Sequence, residues 1–260
     1  MKITTWNVNS IRTRLEHVTD WLAENPVDVL CVQETKVQDK QFPESAFRDR
    51  HLQVEFFGQK SYNGVALISQ EPLADVSRGF SAVLGGSVSQ WDEQKRVISA
   101  MVGDVRVVNL YVPNGSAIAS EKYDYKLGWL KVLKDYLTKL LAASPKLCVC
   151  GDFNIALENK DIYKPEKGGN HIMASEAERE ALQGILELGL RDSFRKFTDE
   201  SGHFSWWDYR AAGFQRNRGW RIDHLYLSNA LYEMATDCTI DTEPRRREKP
   251  SDHTPVTVTF

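Results

Sequence analysis

Eight residues in this chain have side chains suited to handling a phosphate and a metal ion: Asn7, Glu34, Tyr111, Asp152, Asn154, Asp223, Asp252 and His253. They fall in six short runs, ITTWNVN (3–9), VLCVQE (29–34), VVNLYVPN (107–114), LCVCGDFN (147–154), IDHLYLS (222–228) and PSDHTPV (250–256). Each run is apolar and strand-like, with a carboxylate, an amide or a histidine at its end. A strand buried on both faces reads as a continuous apolar stretch, so polar groups at its end meet solvent at the sheet's edge. Six such endings imply one acidic, metal-binding site assembled from distant segments, the layout of metal-assisted phosphate ester hydrolysis.

Helices must separate those strands. Residues 10–25 place Ile11, Leu15, Val18 and Leu22 at helical spacing after Ser10, which predicts a capped helix that Pro26 stops. A second amphipathic segment runs from Ser120 to 142, ahead of Pro145. A third, 175–189, opens on SEAERE, a serine cap with glutamates in its first turn, and ends at Gly189. Strands are expected near 53–57, 63–69, 97–102 and 106–112. A similar order of elements occurs roughly twice, predicting two halves whose sheets pack together with helices outside. With no linker of biased composition, residues 1–260 read as one domain.

Composition narrows the class. The chain has 260 residues, 42% hydrophobic and 27% charged, as an ordinary globular protein does. Its longest apolar stretches are strand-sized, well below the ~20 residues a membrane helix needs. MKITTWNVNS has no signal core, which predicts a cytoplasmic location, at the nucleoid if DNA is the partner. Cys31, Cys148, Cys150 and Cys238 lack the spacing of a disulfide framework and read as buried thiols. The net charge of −3 hides two basic clusters, YRAAGFQRNRGWR (209–221) and RRREK (245–249). Arginines among aromatics suit phosphate contact and base stacking; the alternative is a solvated arginine loop. Their position beside Asp223 and Asp252–His253 favours the first.

The segments WNVNSIR (6–12), CVQETK (31–36), KRVISA (95–100), NLYVPNG (109–115), GDFN (151–154), SWWDYR (205–210), NRGWRIDHLYLS (217–228) and KPSDHTPV (249–256) occur in this order. In them the chain resembles the exonuclease III family of abasic-site endonucleases, within the endonuclease/exonuclease/phosphatase superfamily. The resemblance implies a DNase I-like, four-layered α/β sandwich, two packed sheets flanked by helices. It implies a monomeric Mg²⁺-dependent DNA repair nuclease, with Mn²⁺ a possible substitute. The substrates would be double-stranded DNA with abasic sites, nicks or blocked 3′ ends, and no membrane is involved. By the same resemblance Glu34 anchors the metal, with Asn7 and Asp252 completing or supporting it. Asp152 activates or positions the attacking water, Asn154 orients it, and Tyr111 approaches the phosphate. His253 contacts the scissile phosphate and Asp223 orients His253. Arg12, Lys36, Arg96 and Arg210 fall at DNA-contact positions, and Trp206 and Trp220 match a pocket for a base-less sugar.

One loop departs from the family pattern. In KPEKGGNHIMASEAER (164–179) the bulky His171, Ile172 and Met173 stand where members active on internal abasic sites carry small residues. The expectation is a narrowed pocket, with His171 foremost, that favours 3′ phosphatase, phosphodiesterase and 3′–5′ exonuclease work over internal abasic cleavage. The alternative is a loop that faces solvent. Three other readings compete: a full abasic-site endonuclease as the main activity, a superfamily phosphatase acting on lipid, and a non-catalytic DNA-binding domain.

Overall fold

In a computed structural model, which describes residues 1–168 and 170–260, twelve strands form two six-stranded sheets. The first sheet has the order β11-β12-β1-β2-β4-β3, from Asp237–Ile240 (β11), Val256–Thr259 (β12), Lys2–Asn7 (β1), Val29–Gln33 (β2), Val65–Ser69 (β4) and Gln53–Phe57 (β3). The second has the order β5-β6-β7-β8-β10-β9, from Leu73–Arg78 (β5), Val97–Val102 (β6), Val105–Tyr111 (β7), Leu147–Asp152 (β8), Asp223–Ser228 (β10) and Leu190–Asp192 (β9). Each sheet is built about one parallel pair, β1 with β2 and β7 with β8. The helix Leu15–Glu24 links the first pair and Glu121–Ala143 the second, so the two halves repeat one β-α-β core.

Alternation along the strands makes the layers. Ile3, Cys31, Val107, Cys148, Cys150, Leu225 and Leu227 point into the core between the sheets. Trp6, Leu30 and Val32 face Val18 and Trp21 of the first helix. Val108, Leu110, Val149 and Tyr226 face Trp129, Leu133, Leu137 and Ile185 on the other side. Helices on both outer faces complete the four-layered sandwich expected. All four cysteines are free and buried.

Two helix starts contrast. Ser120 accepts a hydrogen bond from Tyr123 N, and Ser175 forms a reciprocal capping box with Glu178, as their positions predict. Ser10 does not cap the first helix, which begins four residues late, at Leu15. Instead Ser10 N and Ile11 N donate to Glu34 O and Thr35 O, pulling residues 8–14 into a loop beside the end of β2. Tertiary backbone bonds override the local helical pattern there. The third helix is also shorter than expected, Glu176–Leu186, ending before Gly189.

Part of the predicted basic surface is interior. Arg221 is 1% exposed; its Nε and Nη2 donate to Asp161 at 2.8 and 3.2 Å, and Nη2 to Asp192 at 2.7 Å. Arg245 is buried as well, donating to Ser251 O, while Arg246 and Arg247 pair with Glu243 and Asp20. Arg221 and Arg245 are scaffold, because buried acids and carbonyls use their donors, whereas Arg246 stays at the surface.

The Asp161 site yields a stability prediction. Burial would raise its carboxyl, but Arg221, with help from His224 and Arg195, holds it down to about 2. A depressed folded pKa stabilises the fold above the unfolded value near 4, and that contribution disappears as pH falls through about 2. It amounts to about 2 kcal/mol. Asp161→Asn should cost roughly 3–5 kcal/mol in urea unfolding at pH 7, since it leaves a buried cation short of a partner. It should also flatten the loss of stability between about pH 4 and 2; unchanged stability would refute the assignment.

Candidate active site

Chain direction decides how six segments reach one edge. Asn7, Tyr111 and Asp152 end β1, β7 and β8, and Glu34 follows β2. Asp223, however, begins β10, and Asp252 and His253 precede β12. The reading of 222–228 and 250–256 as strands that end in polar residues is therefore corrected. β10 and β12 run antiparallel to β8 and β1, so their starts lie at the same edge as the other strands' ends. Asp223 is the register partner of Asp152, and Tyr111 is its partner on the other side. Gly151 allows this approach: with φ of +148°, a Cβ there would sit 1.9 Å from Leu110 O.

The buried centre is a line of three groups. His253 Nδ1 lies 2.9 Å from Asp223 Oδ2, which also accepts from Ser205 Oγ at 2.6 Å. The opposite ring nitrogen, Nε2, is 3.7 Å from Asp152 Oδ2. Burial disfavours the imidazolium, but Asp223, Asp152 and Asp252 override it and raise His253 to about 10. Burial, and then the charges of Asp223 and Glu34, push Asp152 up to about 7 against the pull of His253 and Asn7. A carboxyl titrating near neutrality can exchange a proton with water at working pH.

Asn7 stands between the carboxylates. Its Nδ2 donates to Glu34 Oε1 and Asp152 Oδ2, both at 2.9 Å, while its Oδ1 accepts from Asn9 N. One lone pair of the Asn7 oxygen is thus taken by Asn9 N, and the amide nitrogen holds two acids together. Asp252 accepts from Trp206 Nε1 and Asn9 Nδ2, each at 3.0 Å. The groups whose ligand atoms converge, within 4.8 Å of one another, are Glu34, Asp152 and His253. An imidazolium bound to Asp223 is a poor metal ligand, so the two carboxylates are the donors that fit a hard divalent cation.

Asn154 is tied to Asp152: its N donates to Asp152 Oδ1 at 2.8 Å, and its Oδ1 accepts from Asn114 Nδ2 at 2.9 Å. Tyr111 carries Arg96 4.5 Å from its ring centroid, and burial and Glu34 raise its hydroxyl well above the ordinary value. Arg96 is itself buried, donating to Tyr111 O at 3.1 Å, which places it beneath the tyrosine. Lys36 Nζ pairs with Glu34 at 2.8 Å. Arg12 and Arg210 are exposed, the latter bonded to Asp208.

Trp206 and Trp220 form a backbone bridge, and Trp206 bridges His253, so the tryptophan pair adjoins the Asp152–His253–Asp223 line. In the loop before the third helix, Ile172 and Met173 turn inward to pack with Tyr123, Ile162 and Ile222. Trp206 and Trp220 pack against the same cluster, so Ile172 and Met173 support the tryptophan pair from its buried side. His171 remains exposed, edge-on to Trp220 with ring centroids 6.5 Å apart. Gly169 of this segment lies outside the described residues. Asn9, Asn114, Ser205 and Tyr209, which donates to Pro250 O, were not singled out in the sequence. Each nonetheless lies inside one of the quoted motifs, and that proximity was the available signal.

The Endonuclease/Exonuclease/phosphatase family matches residues 4–253. Exodeoxyribonuclease III of Haemophilus influenzae is 34% identical, with 100% of both chains covered. A 3′ phosphatase from Neisseria, solved with a product DNA hairpin, superposes with a TM-score of 0.96 at 43% identity, covering 100% of this chain and 99% of that one. An AP endonuclease from Archaeoglobus fulgidus superposes with a TM-score of 0.94, also at 43% identity and with the same coverage. Overall identity therefore does not separate the two activities. With this fold and full-length similarity, the chain belongs to the endonuclease/exonuclease/phosphatase family, on its exonuclease III and AP endonuclease branch of hydrolases that cleave phosphodiester bonds in DNA.

Proposed function

We propose that this chain is a monomeric Mg²⁺-dependent DNA repair nuclease that clears blocked 3′ ends. It would remove phosphates, sugar fragments and nucleotides from nicks and termini, leave a 3′-hydroxyl, and cleave internal abasic sites poorly. The observation that supports this most directly is the Trp206–Trp220 face beside His253, with His171 edge-on to Trp220. A sugar at a frayed end can reach such a face without being turned out of a continuous stack. An internal abasic sugar must be turned out of a continuous duplex and meets the His171 ring.

Glu34 would anchor Mg²⁺ with Asp152 as the nearest second carboxylate, Asn7 and Asp252 supporting, and Mn²⁺ could substitute. When bound, the ion supplies Lewis-acid polarisation of a phosphate oxygen. Asp152 takes the proton of the attacking water and Asn154 holds that carboxylate in place. His253, kept cationic by Asp223, neutralises charge growing on the non-bridging oxygens. Arg12, Lys36, Arg96 and Arg210 would form the DNA-facing side, with Arg96 acting through Tyr111.

The test uses two labelled duplexes with Mg²⁺, one with an internal abasic analogue and one with a nick ending in 3′-phosphate. The expected result is fast phosphate removal and slow internal cleavage. His171→Gly should raise internal cleavage by about tenfold, as expected for ~1.4 kcal/mol of relieved crowding. Equal cleavage of both duplexes by the unaltered enzyme, or no gain in the glycine variant, would overturn the steric role.

A further inference from the structure

Lys126 and Glu178 are wholly excluded from solvent and form an ion pair. Neither touches the Asp152–His253–Asp223 line, yet between them they reach three loops around it. Lys126 Nζ also donates to Asn154 O at 2.8 Å and to Asn114 O at 3.2 Å. Glu178 accepts from Met173 N at 3.1 Å through Oε1, and from Ser175 N and Ser175 Oγ at 3.0 and 2.7 Å through Oε2. The 171–174 loop is also bonded to the Asn154 segment, through Ala156 N and Met173 O at 2.7 Å.

Two features make this pair more than packing. Met173 has a φ of +71°, a left-handed conformation that is unfavourable for a residue with a Cβ and persists only where neighbours impose it. Its amide is held by Glu178. Gly115, at φ +89°, lets the Asn114 loop approach so closely that a Cβ would lie 3.0 Å from Ile172 Cδ1 and 3.1 Å from Lys126 Cδ. The loop that carries His171, the loop that carries Asn114, and Asn154 therefore meet on one buried charge pair.

We propose that the Lys126–Glu178 pair is a positioning element that sets the 171–174 loop against Asn154, and thereby selects which 3′ groups the site accepts. The proposal rests on the end-processing reading above. Loss of the pair frees the loop and widens the approach to Trp220, which favours bulkier groups over a bare phosphate.

The experiment compares K126M, E178Q and the double variant K126M/E178M with the unaltered enzyme. The readout is kcat/KM on a 3′-phosphate nick divided by kcat/KM on a nick ending in a 3′ nucleotide. Partial unfolding lowers both rates equally and leaves this ratio unchanged. Each single variant should lower the ratio at least fivefold. A lone buried charge costs more than an apolar pair, so the double variant should be more stable than either single variant. It should stay below the unaltered enzyme, because Met173 N and Ser175 N lose their acceptor, while its ratio stays low. A ratio equal to that of the unaltered enzyme in the active variants would overturn the positioning role. An unaltered enzyme inactive on both nicks would instead overturn the end-processing reading.

Discussion

Asp152→Asn is expected to lower turnover by on the order of 10³-fold or more on every DNA substrate, while duplex affinity changes by no more than about threefold. The side chains are isosteric, and Asn154 N can still donate to the remaining Oδ1, so the local backbone should hold. What is lost is the basic oxygen 3.7 Å from His253 Nε2. Asp152 is 1% exposed and poised at about 7 by burial and by Asp223 and Glu34, and an amide has no comparable proton affinity. Binding should survive because removing a negative charge reduces repulsion toward DNA phosphates. Single-turnover rates and fluorescence anisotropy on the same duplex separate the two effects. Full activity in the variant would overturn the role of Asp152 as the group that takes the water's proton.

Asp223→Asn is the second large effect, a fall in kcat on the order of 10²–10³-fold with a shifted pH profile. Asp223 accepts from His253 Nδ1 through both oxygens, at 2.9 and 3.1 Å, and from Ser205 Oγ. An amide cannot serve all three contacts, and it removes the principal charge that raises His253. The histidine then loses its proton at lower pH. If chemistry needs the imidazolium, activity falls as pH rises through the folded value, so the alkaline limb of the profile moves down from near 10. A profile whose alkaline limb stays in place would show that His253 does not act in its charged form.

The buried pairs carry different consequences. Arg221–Asp161 is buried among Asp192, Arg195 and His224, so its disruption should appear as lost stability. Lys126–Glu178 joins loops at the site's edge, so its disruption should appear as altered selectivity. Both are legible only once burial is known, since an arginine or lysine in sequence looks equally ready for solvent or for phosphate.

Much of the architecture was readable without coordinates. VLCVQ and LCVCGD are apolar on both faces, because each lies between the inter-sheet core and an outer helix layer. Ser120 and Ser175 announce their helices because capping is a local bond between residues three apart. The edge strands Leu73–Arg78, Leu190–Asp192 and Asp237–Ile240 carry no such signature. They pack on one side only, so their pattern of exposure resembles that of loops.

The chemical character of the site also followed from residue type, since few strand ends carry so many acids, amides and histidines. Its assembly did not. Asn7 and Asp152 are 145 residues apart and share one hydrogen bond, and which atom of the Asn7 amide faces Asp152 depends on Asn9 N. That Asp223 begins its strand while Asp152 ends its own follows from antiparallel pairing of β10 with β8, a long-range choice with no local signature. Likewise Arg221 and Arg245 turned inward, and of His171, Ile172 and Met173 only the histidine stayed on the surface. Periodicity reports that a side chain is buried or exposed; its partners are set by segments distant in the chain, and those only the folded molecule brings together.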